Sequence, residues 1–332
     1  MSELETNLPG PPVEGENMLI AFLGPFGTFT EQAVWQVAPA GAELLPVSSA
    51  GVALDMVREG KADRAVMPIE NSIEGGVNAT IDALSHGEEL HIVAEMLVPV
   101  RFVFAALPGT KMEDVKRVGT HPHAWAQCRN WAADNLQGAI HVPTTSTAAA
   151  AELLGTFEPG DPDIPFDAVL CNATSVERYG LVPLEEEVAD NPNAVTRFVM
   201  VARPGFLPPK TGADKTTIQV LLPTDEAGSL LMMLEQFSVR GVNLSRIESR
   251  PSGDRLGHYS FSIDIAGHLL EERVQAALVG LHRTCPKVQF LGSYPRVDGV
   301  RAEVAKGTED EDFTNARDWI DTLAGVPTVA LQ

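Results

Sequence analysis

Three polar clusters, each set against apolar residues, hold the side chains best suited to chemistry on a small ligand. The first is Glu70-Asn71-Ser72, inside Met67-Pro68-Ile69-Glu70-Asn71-Ser72-Ile73-Glu74-Gly75-Gly76. The second is Thr196-Arg197-Phe198, which closes the stretch Asn193-Ala194-Val195-Thr196-Arg197-Phe198. The third is Glu248-Ser249-Arg250-Pro251, preceded by Asn243. Polar groups held at the rim of apolar elements are what a rigid scaffold offers a small molecule. A threonine hydroxyl is a weak nucleophile without an activating base. No base adjoins Thr196 in sequence, so its chemistry is to donate a hydrogen bond to a leaving oxygen. Arg197 carries a planar fork that grips a carboxylate through two bonds, or it serves as a salt bridge within the fold. Glu70-Asn71-Ser72 follows an apolar strand and precedes a helix, the kind of strand end where α/β sheets bind ligands. The free N–H groups of that helix start favour a carboxylate. A polar turn capped by Ser72 is the plainer alternative.

Two further segments carry residues suited to chemistry. Gly24-Pro25-Phe26-Gly27-Thr28-Phe29-Thr30 is a Gly-rich strand-to-helix turn that lets backbone approach an anion. It lacks the GK[ST] ending of a nucleotide loop and is not GxGxxG. His121-Pro122-His123 offers two imidazoles, but no third ligand stands at a diagnostic spacing, so no metal is expected. Cys128, Cys171 and Cys285 are far apart without CxxC spacing and read as buried thiols of a reducing compartment.

The elements that must position these residues follow from periodicity. The 332 residues exceed what one core usually holds, so two domains are expected. Residues 1–17 are acidic and rich in Pro and Gly, and read as a disordered lead. Strand-like runs at Met18–Leu23, Arg64–Met67, His91–Val98, Val100–Leu107, Val118–Gly119, Phe166–Cys171 and Phe198–Ala202 alternate with helical patterns. The helices are expected over Thr30–Val37, Ser49–Glu59, Gly76–Ser85, Ala124–Asn135, Ser146–Leu154 and Ala173–Tyr179. This is an α/β domain. Two successive strands near residue 99 break the alternation and suggest two lobes with a cleft, the first lobe closed by a late return of the chain around residues 185–203. Residues 204–215 read as a linker. Residues 216–298 follow the order βαββαβ, the ferredoxin-like split unit. Residues 299–332 form an acidic tail, with one helix suggested by Phe313, Trp319, Ile320 and Leu323.

A net charge of −21 argues against nucleic acid and anionic membranes as partners. An anionic substrate would need a local positive field from arginines and backbone N–H groups. No apolar run is long enough to cross a membrane. The N-terminus has neither the basic start nor the apolar run of a secretory signal, and the protein is expected in the cytoplasm.

In order and spacing, the clusters resemble the prephenate dehydratase family with a C-terminal ACT regulatory domain. The resemblance spans roughly residues 18–298. It also takes in Thr120-His121-Pro122-His123, where the family has Ser-His-Pro-Gln, a few residues before Gln127. In Gly228-Ser229-Leu230-Leu231 the family has Gly-Ala-Leu-Val. The resemblance implies a two-lobed catalytic domain over 18–203, similar to type II periplasmic binding proteins, followed by the ACT domain. It implies that prephenate loses water and carbon dioxide to give phenylpyruvate, without cofactor or metal. Thr196, Glu70 and Arg197 would be catalytic, with Glu70 or a water as proton source. Asn71, Ser72, Thr120, Gln127 and Phe198 would hold the substrate or position Thr196. Gly228, Ser229, Leu230, Leu231, Asn243, Glu248, Ser249, Arg250 and Pro251 would bind L-phenylalanine as allosteric effector between ACT domains of a homodimer or homotetramer. Two alternatives remain open: an arogenate dehydratase, and a non-catalytic amino-acid sensor, which would lack the polar cleft residues present here.

Overall fold

The apolar run Leu19–Leu23 forms the first strand, β1, and its middle residues Ile20, Ala21 and Phe22 are fully buried. A computed structural model of the chain describes residues 18–223, 226–251 and 259–325. The expected lead over residues 1–17 lies outside them, as do the last residues of the acidic tail. After β1 come α1 (Phe29–Val37), β2 (Glu43–Val47), α2 (Ala50–Arg58), β3 (Arg64–Asn71), β4 (Gly75–Gly76), α3 (Asn78–Ser85) and β5 (His91–Pro99). The chain continues through β6 (Val103–Ala106), β7 (Arg117–Thr120), α4 (Pro122–Gln127), α5 (Arg129–Asn135), β8 (Ile140–Pro143) and α6 (Thr147–Leu154). Next are β9 (Ala168–Cys171), α7 (Ala173–Arg178), β10 (Val182–Glu185) and β11 (Val195–Ala202). The C-terminal elements are β12 (Asp214–Leu221), α8 (Ser229–Ser238), β13 (Leu244–Pro251), β14 (Tyr259–Ala266), α9 (Glu272–Thr284), β15 (Lys287–Pro295) and α10 (Asp310–Ala324).

The described residues form two compact units. One holds residues 18–83 with Met96–Met200, and the other holds Leu84–Glu95 with the chain from Val201 onward. Within the stretch 18–203, residues 84–95 and 201–203 fall in the second compact unit. The strands that precede β12 form two mixed sheets. One has the strand order β2-β1-β3-β11-β5, with β4 paired to β3. The other runs β10-β6-β9-β7-β8. β1 is parallel to β2 and β3, as βα units require. Helices start where a short polar side chain caps them: Thr28, Ser49, Ser146 and Asn172 each accept a backbone N–H from their own first turn. α6 packs its alanines Ala150 and Ala151 with Val169, Leu154 and Phe166 in one core cluster. Phe102, Phe104, Val118 and Leu170 centre another.

Three local departures from the sequence reading have physical causes. The helix expected over Ala124–Asn135 is interrupted at Cys128, because Asp190 accepts the N–H groups of Asn130 and Trp131 and starts a new helix there. The strand expected to end at Met67 continues through Pro68 to Asn71. Strands β2, β8 and β10 are short and each contains a proline, which lowers their legibility as strands.

In the second unit, β12, α8, β13, β14, α9 and β15 realise the split βαββαβ order, with strands arranged β13-β14-β12-β15 and all neighbours antiparallel. One sheet face carries Ile218, Val220, Ile263 and Ile265, packed with Met233 and Phe237 of α8 and Val274, Ala277 and Leu281 of α9. The other face is polar. Asp264 is fully buried and is held by Arg246 at 3.0 Å and by the Thr217 hydroxyl at 2.7 Å. Within this unit Lys215 meets Glu95 at 2.7 Å, both side chains nearly inaccessible. At Gly292, φ is +138°, and the Ile92 backbone lies where a Cβ would sit, so only glycine fits.

Candidate active site

Strands β3 and β11 lie side by side in the first sheet, and their contacts count off as an antiparallel ladder. Ser72 pairs with Val195, Asn71 with Thr196, and Glu70 with Arg197. Because side chains alternate across a strand, this register decides which of the expected residues face the same space. Asn71 and Thr196 point into a cleft of about 260 Å³ within the first unit. Glu70 and Arg197 point the other way and form an ion pair at 3.3 Å, with the Arg197 side chain 8% exposed. Adjacent positions on a strand do not share a face, so Glu70 and Arg197 are not brought together with Thr196, and Arg197 takes the salt-bridge arrangement that the sequence left open.

Thr196 is buried, and its Oγ1 accepts a hydrogen bond from Asn71 Nδ2 at 2.9 Å. The orientation of the Asn71 amide is fixed by its other end, since Oδ1 accepts the N–H groups of Ile73 at 2.8 Å and Glu74 at 3.3 Å. With Oδ1 bound to donors, Nδ2 must face Thr196, because an amide flip would set the amino group against the two backbone N–H donors. The Thr196 hydroxyl, already accepting, is left to donate its proton into the cleft. Ser72 does not line the cleft. Its N–H donates to the Val195 carbonyl at 2.9 Å and its Oγ accepts from the Val195 N–H at 3.0 Å, pinning the start of β11. Thr120 is fully buried and its hydroxyl donates to the Leu170 carbonyl at 2.7 Å. Phe198 is a core side chain, 2% exposed. Ser72, Thr120 and Phe198 are not among the residues that line the cleft, a placement that fits the second half of the expectation for this group, to hold the substrate or to position Thr196.

Helix starts supply the rest of the cleft wall. Thr28, Phe29 and Thr30 come from the start of α1, and Thr145, Ser146 and Thr147 from the start of α6. Unpaired N–H groups and hydroxyls at these ends make a field suited to an anion. The sequence reading raised the turn before α1 for this role and treated Ser146 only as a helix start. The Thr145-Ser146-Thr147 run ahead of an alanine-rich helix was the signal available. The α1 turn is held from outside the cleft. Gly27 has φ +84°, its N–H donates to Glu31, and its carbonyl accepts from Asn172 Nδ2 at 2.8 Å and Ser175 Oγ at 2.7 Å. Glu31 is 1% exposed and also meets Arg178 at 2.6 Å, while the Arg178 guanidinium lies over Phe26, 4.7 Å from the ring centre.

On the opposite wall stand His121, His123 and Gln127. His121 caps α4: its Nδ1 accepts the His123 N–H at 3.2 Å. Burial, reinforced by neighbouring His123, pushes the His121 pKa below the usual imidazole value, so it is a neutral ring with its proton on Nε2. Glu74 accepts from Gln127 Nε2 at 3.3 Å and meets His123 Nδ1 at 2.7 Å. Burial pushes the thiols of Cys128 and Cys171 up to about 12, which removes them as nucleophiles. Among the described residues, no cluster of His, Cys, Asp or Glu is arranged to hold a metal ion, and no helix is long and apolar enough to cross a membrane.

In the second unit, the candidate effector residues fall on two elements. Gly228 begins α8 with φ +95°, and Leu230 and Leu231 behind it are 41% and 60% exposed. Asn243 precedes β13, and Glu248, Ser249, Arg250 and Pro251 lie along it. β13 is the outer strand of its sheet.

Residues 20–205 match the family model described as prephenate dehydratase. A relative called prephenate dehydratase from Amycolatopsis methanolica is 45% identical over 302 residues, covering 91% of this chain and 96% of that protein. One of the same name from Mycobacterium tuberculosis H37Rv is 40% identical over 322 residues, covering 94% and 96%. Among solved structures, a prephenate dehydratase in complex with L-Phe from Arthrobacter aurescens aligns with a TM-score of 0.87 at 51% identity, covering 93% of this chain and 100% of that one.

Proposed function

Because the chain belongs to the prephenate dehydratase family, we propose that it converts prephenate to phenylpyruvate in the Thr196 cleft. Prephenate carries two carboxylates and a ring hydroxyl. The bond to the ring carboxylate breaks, and its electron pair enters the ring. Carbon dioxide leaves, the ring becomes aromatic, and the electron pair of the para C–O bond departs with the hydroxyl. A proton completes water. The drive lies in aromatisation, so the enzyme's tasks are to orient a dianion and to assist the departing oxygen. No redox or carbonyl chemistry is required of a cofactor.

The observation that carries this reading is the Asn71 to Thr196 hydrogen bond, 2.9 Å long, with the Asn71 carbonyl already occupied. It leaves the Thr196 proton directed at the departing hydroxyl, where a positioned donor stabilises developing charge. Glu70, engaged with Arg197, is set aside as proton source in favour of a water molecule. The helix starts at Thr28–Thr30 and Thr145–Thr147 take the carboxylates, and Gln127 contacts the substrate from the opposite wall. The two mixed sheets form lobes like those of type II periplasmic binding proteins, with the substrate between them.

The βαββαβ unit is read as an ACT domain that binds L-phenylalanine, as the Arthrobacter aurescens protein was solved with L-Phe. Its exposed α8 and outer strand β13 suit pairing with a second copy, giving a homodimer or homotetramer. The protein is read as cytoplasmic.

The test follows phenylpyruvate formation from prephenate, with arogenate alongside and with L-phenylalanine added. Turnover of prephenate suppressed by L-phenylalanine is the expected result. Preference for arogenate would reassign the substrate, and inertness toward both would leave an amino-acid sensor. Thr196→Ala should lower kcat by about 10²-fold while the fold persists; near wild-type turnover in that variant would remove Thr196 from the mechanism.

A further inference from the structure

The cleft has a charge problem. Among its described lining residues there is no Lys and no Arg, and the carboxylate it does contain is Glu74. Arg197, the cation nearest in sequence to Thr196, is turned away toward Glu70. A dianion entering the cleft would meet Glu74, whose side chain is 38% exposed, with helix-start dipoles in its favour, and like charges repel there to an extent that solvent moderates.

The Glu74 carboxylate is compensated on both oxygens. One accepts from Gln127 Nε2 at 3.3 Å, and the other meets His123 Nδ1 at 2.7 Å. His123 also lies edge-on to His121, with ring centres 4.8 Å apart. His121 Nδ1 is occupied by the His123 N–H at 3.2 Å, and His123 is the wall imidazole within reach of Glu74. We infer that His123 is a specificity-determining residue of this site: it cancels the charge of Glu74 and thereby lets the cleft accept a dianionic substrate. The inference rests on the proposed reaction for the identity of the dianion.

The test compares wild type, His123→Gln, Glu74→Gln and the double variant for KM and kcat with prephenate. Prephenate affinity is measured in parallel by calorimetry on the Thr196→Ala background, where binding is read without turnover. His123→Gln should raise KM and Kd by about fivefold, as expected for an uncompensated charge within several ångströms in a partly wet site, while kcat changes little. Glu74→Gln should bind prephenate at least as well as wild type, and the double variant should match Glu74→Gln, because without the carboxylate there is nothing to cancel. If His123→Gln leaves KM unchanged, or lowers kcat alone, the inference is overturned. A penalty that persists at full size in the Glu74→Gln background overturns it too, since His123 would then be touching the substrate or the fold. Wild-type protein that neither binds nor turns over prephenate defeats the proposed reaction itself.

Discussion

At the scale of single residues, hydrogen-bond direction decides more than residue type. Thr196 is useful because Asn71 has spent its carbonyl on two backbone N–H groups, so the hydroxyl must accept from Asn71 and donate elsewhere. His121 follows the same logic. Its Nδ1 accepts a backbone N–H, which requires the neutral ring, and burial lowers its pKa in the folded state. An imidazole depressed by folding binds fewer protons in the native than in the unfolded chain, so stability rises with pH. Its contribution is complete above the unfolded value near 6.5 and is lost as pH falls below that through the lower folded value. His91, also depressed by burial, acts in the same direction. We expect the urea midpoint to drop between pH 7.5 and about 5.5, and His121→Asn to flatten that drop; an unchanged slope in the variant would remove His121 as its source.

At the scale of elements, the turn between β1 and α1 is the part of the cleft most dependent on distant residues. Its Gly27 N–H and carbonyl are bound by Glu31 and by the start of α7, and Arg178 closes the cluster. Glu31→Ala would leave a buried N–H without its acceptor and a guanidinium without its partner. Breaking a buried ion pair costs about 3–5 kcal/mol; with the Arg178 side chain 37% exposed, water recovers part of this, and about 2 kcal/mol is expected. Glu31→Gln keeps an acceptor for Gly27 and should cost roughly half as much. Chemical denaturation of both variants checks the order. Equal stability of the two would mean that Gly27 does not depend on this acceptor.

For the whole molecule, the central fact is that a chain with a formal charge of −21 is proposed to take a dianion as substrate. The local solution we propose combines helix starts with a compensated carboxylate, since the described lining of the cleft holds no arginine. The same acidity disfavours non-specific association, so any oligomer must form through defined apolar surface. Leu230, Leu231 and Met232 of α8, exposed at 41%, 60% and 56%, are the surface we propose for it. Sedimentation should show a dimer or tetramer for the wild type, and Leu231→Glu should shift it toward monomer at micromolar concentration. A wild-type monomer both with and without L-phenylalanine would end the interface reading.

The amino-acid sequence by itself determined which elements form and which clusters carry polar chemistry. Apolar runs, capping residues and helical periods are local signals, and they located β1, α2, α6, α7 and the whole βαββαβ order. Sequence also singled out Asn71 and Thr196 by their types and neighbours, and Gln127 through the family resemblance, and all three line the cleft. Only the tertiary structure decided which residues of each cluster face the cleft. That choice depends on the register of β3 against β11, a relation between segments more than a hundred residues apart, and a one-residue slip would exchange Thr196 for Arg197. Tertiary structure likewise interrupted the helix at Cys128, where Asp190 arrives from a distant loop, and brought Glu74 to His123. Long-range pairing sets these positions, and no local pattern encodes them.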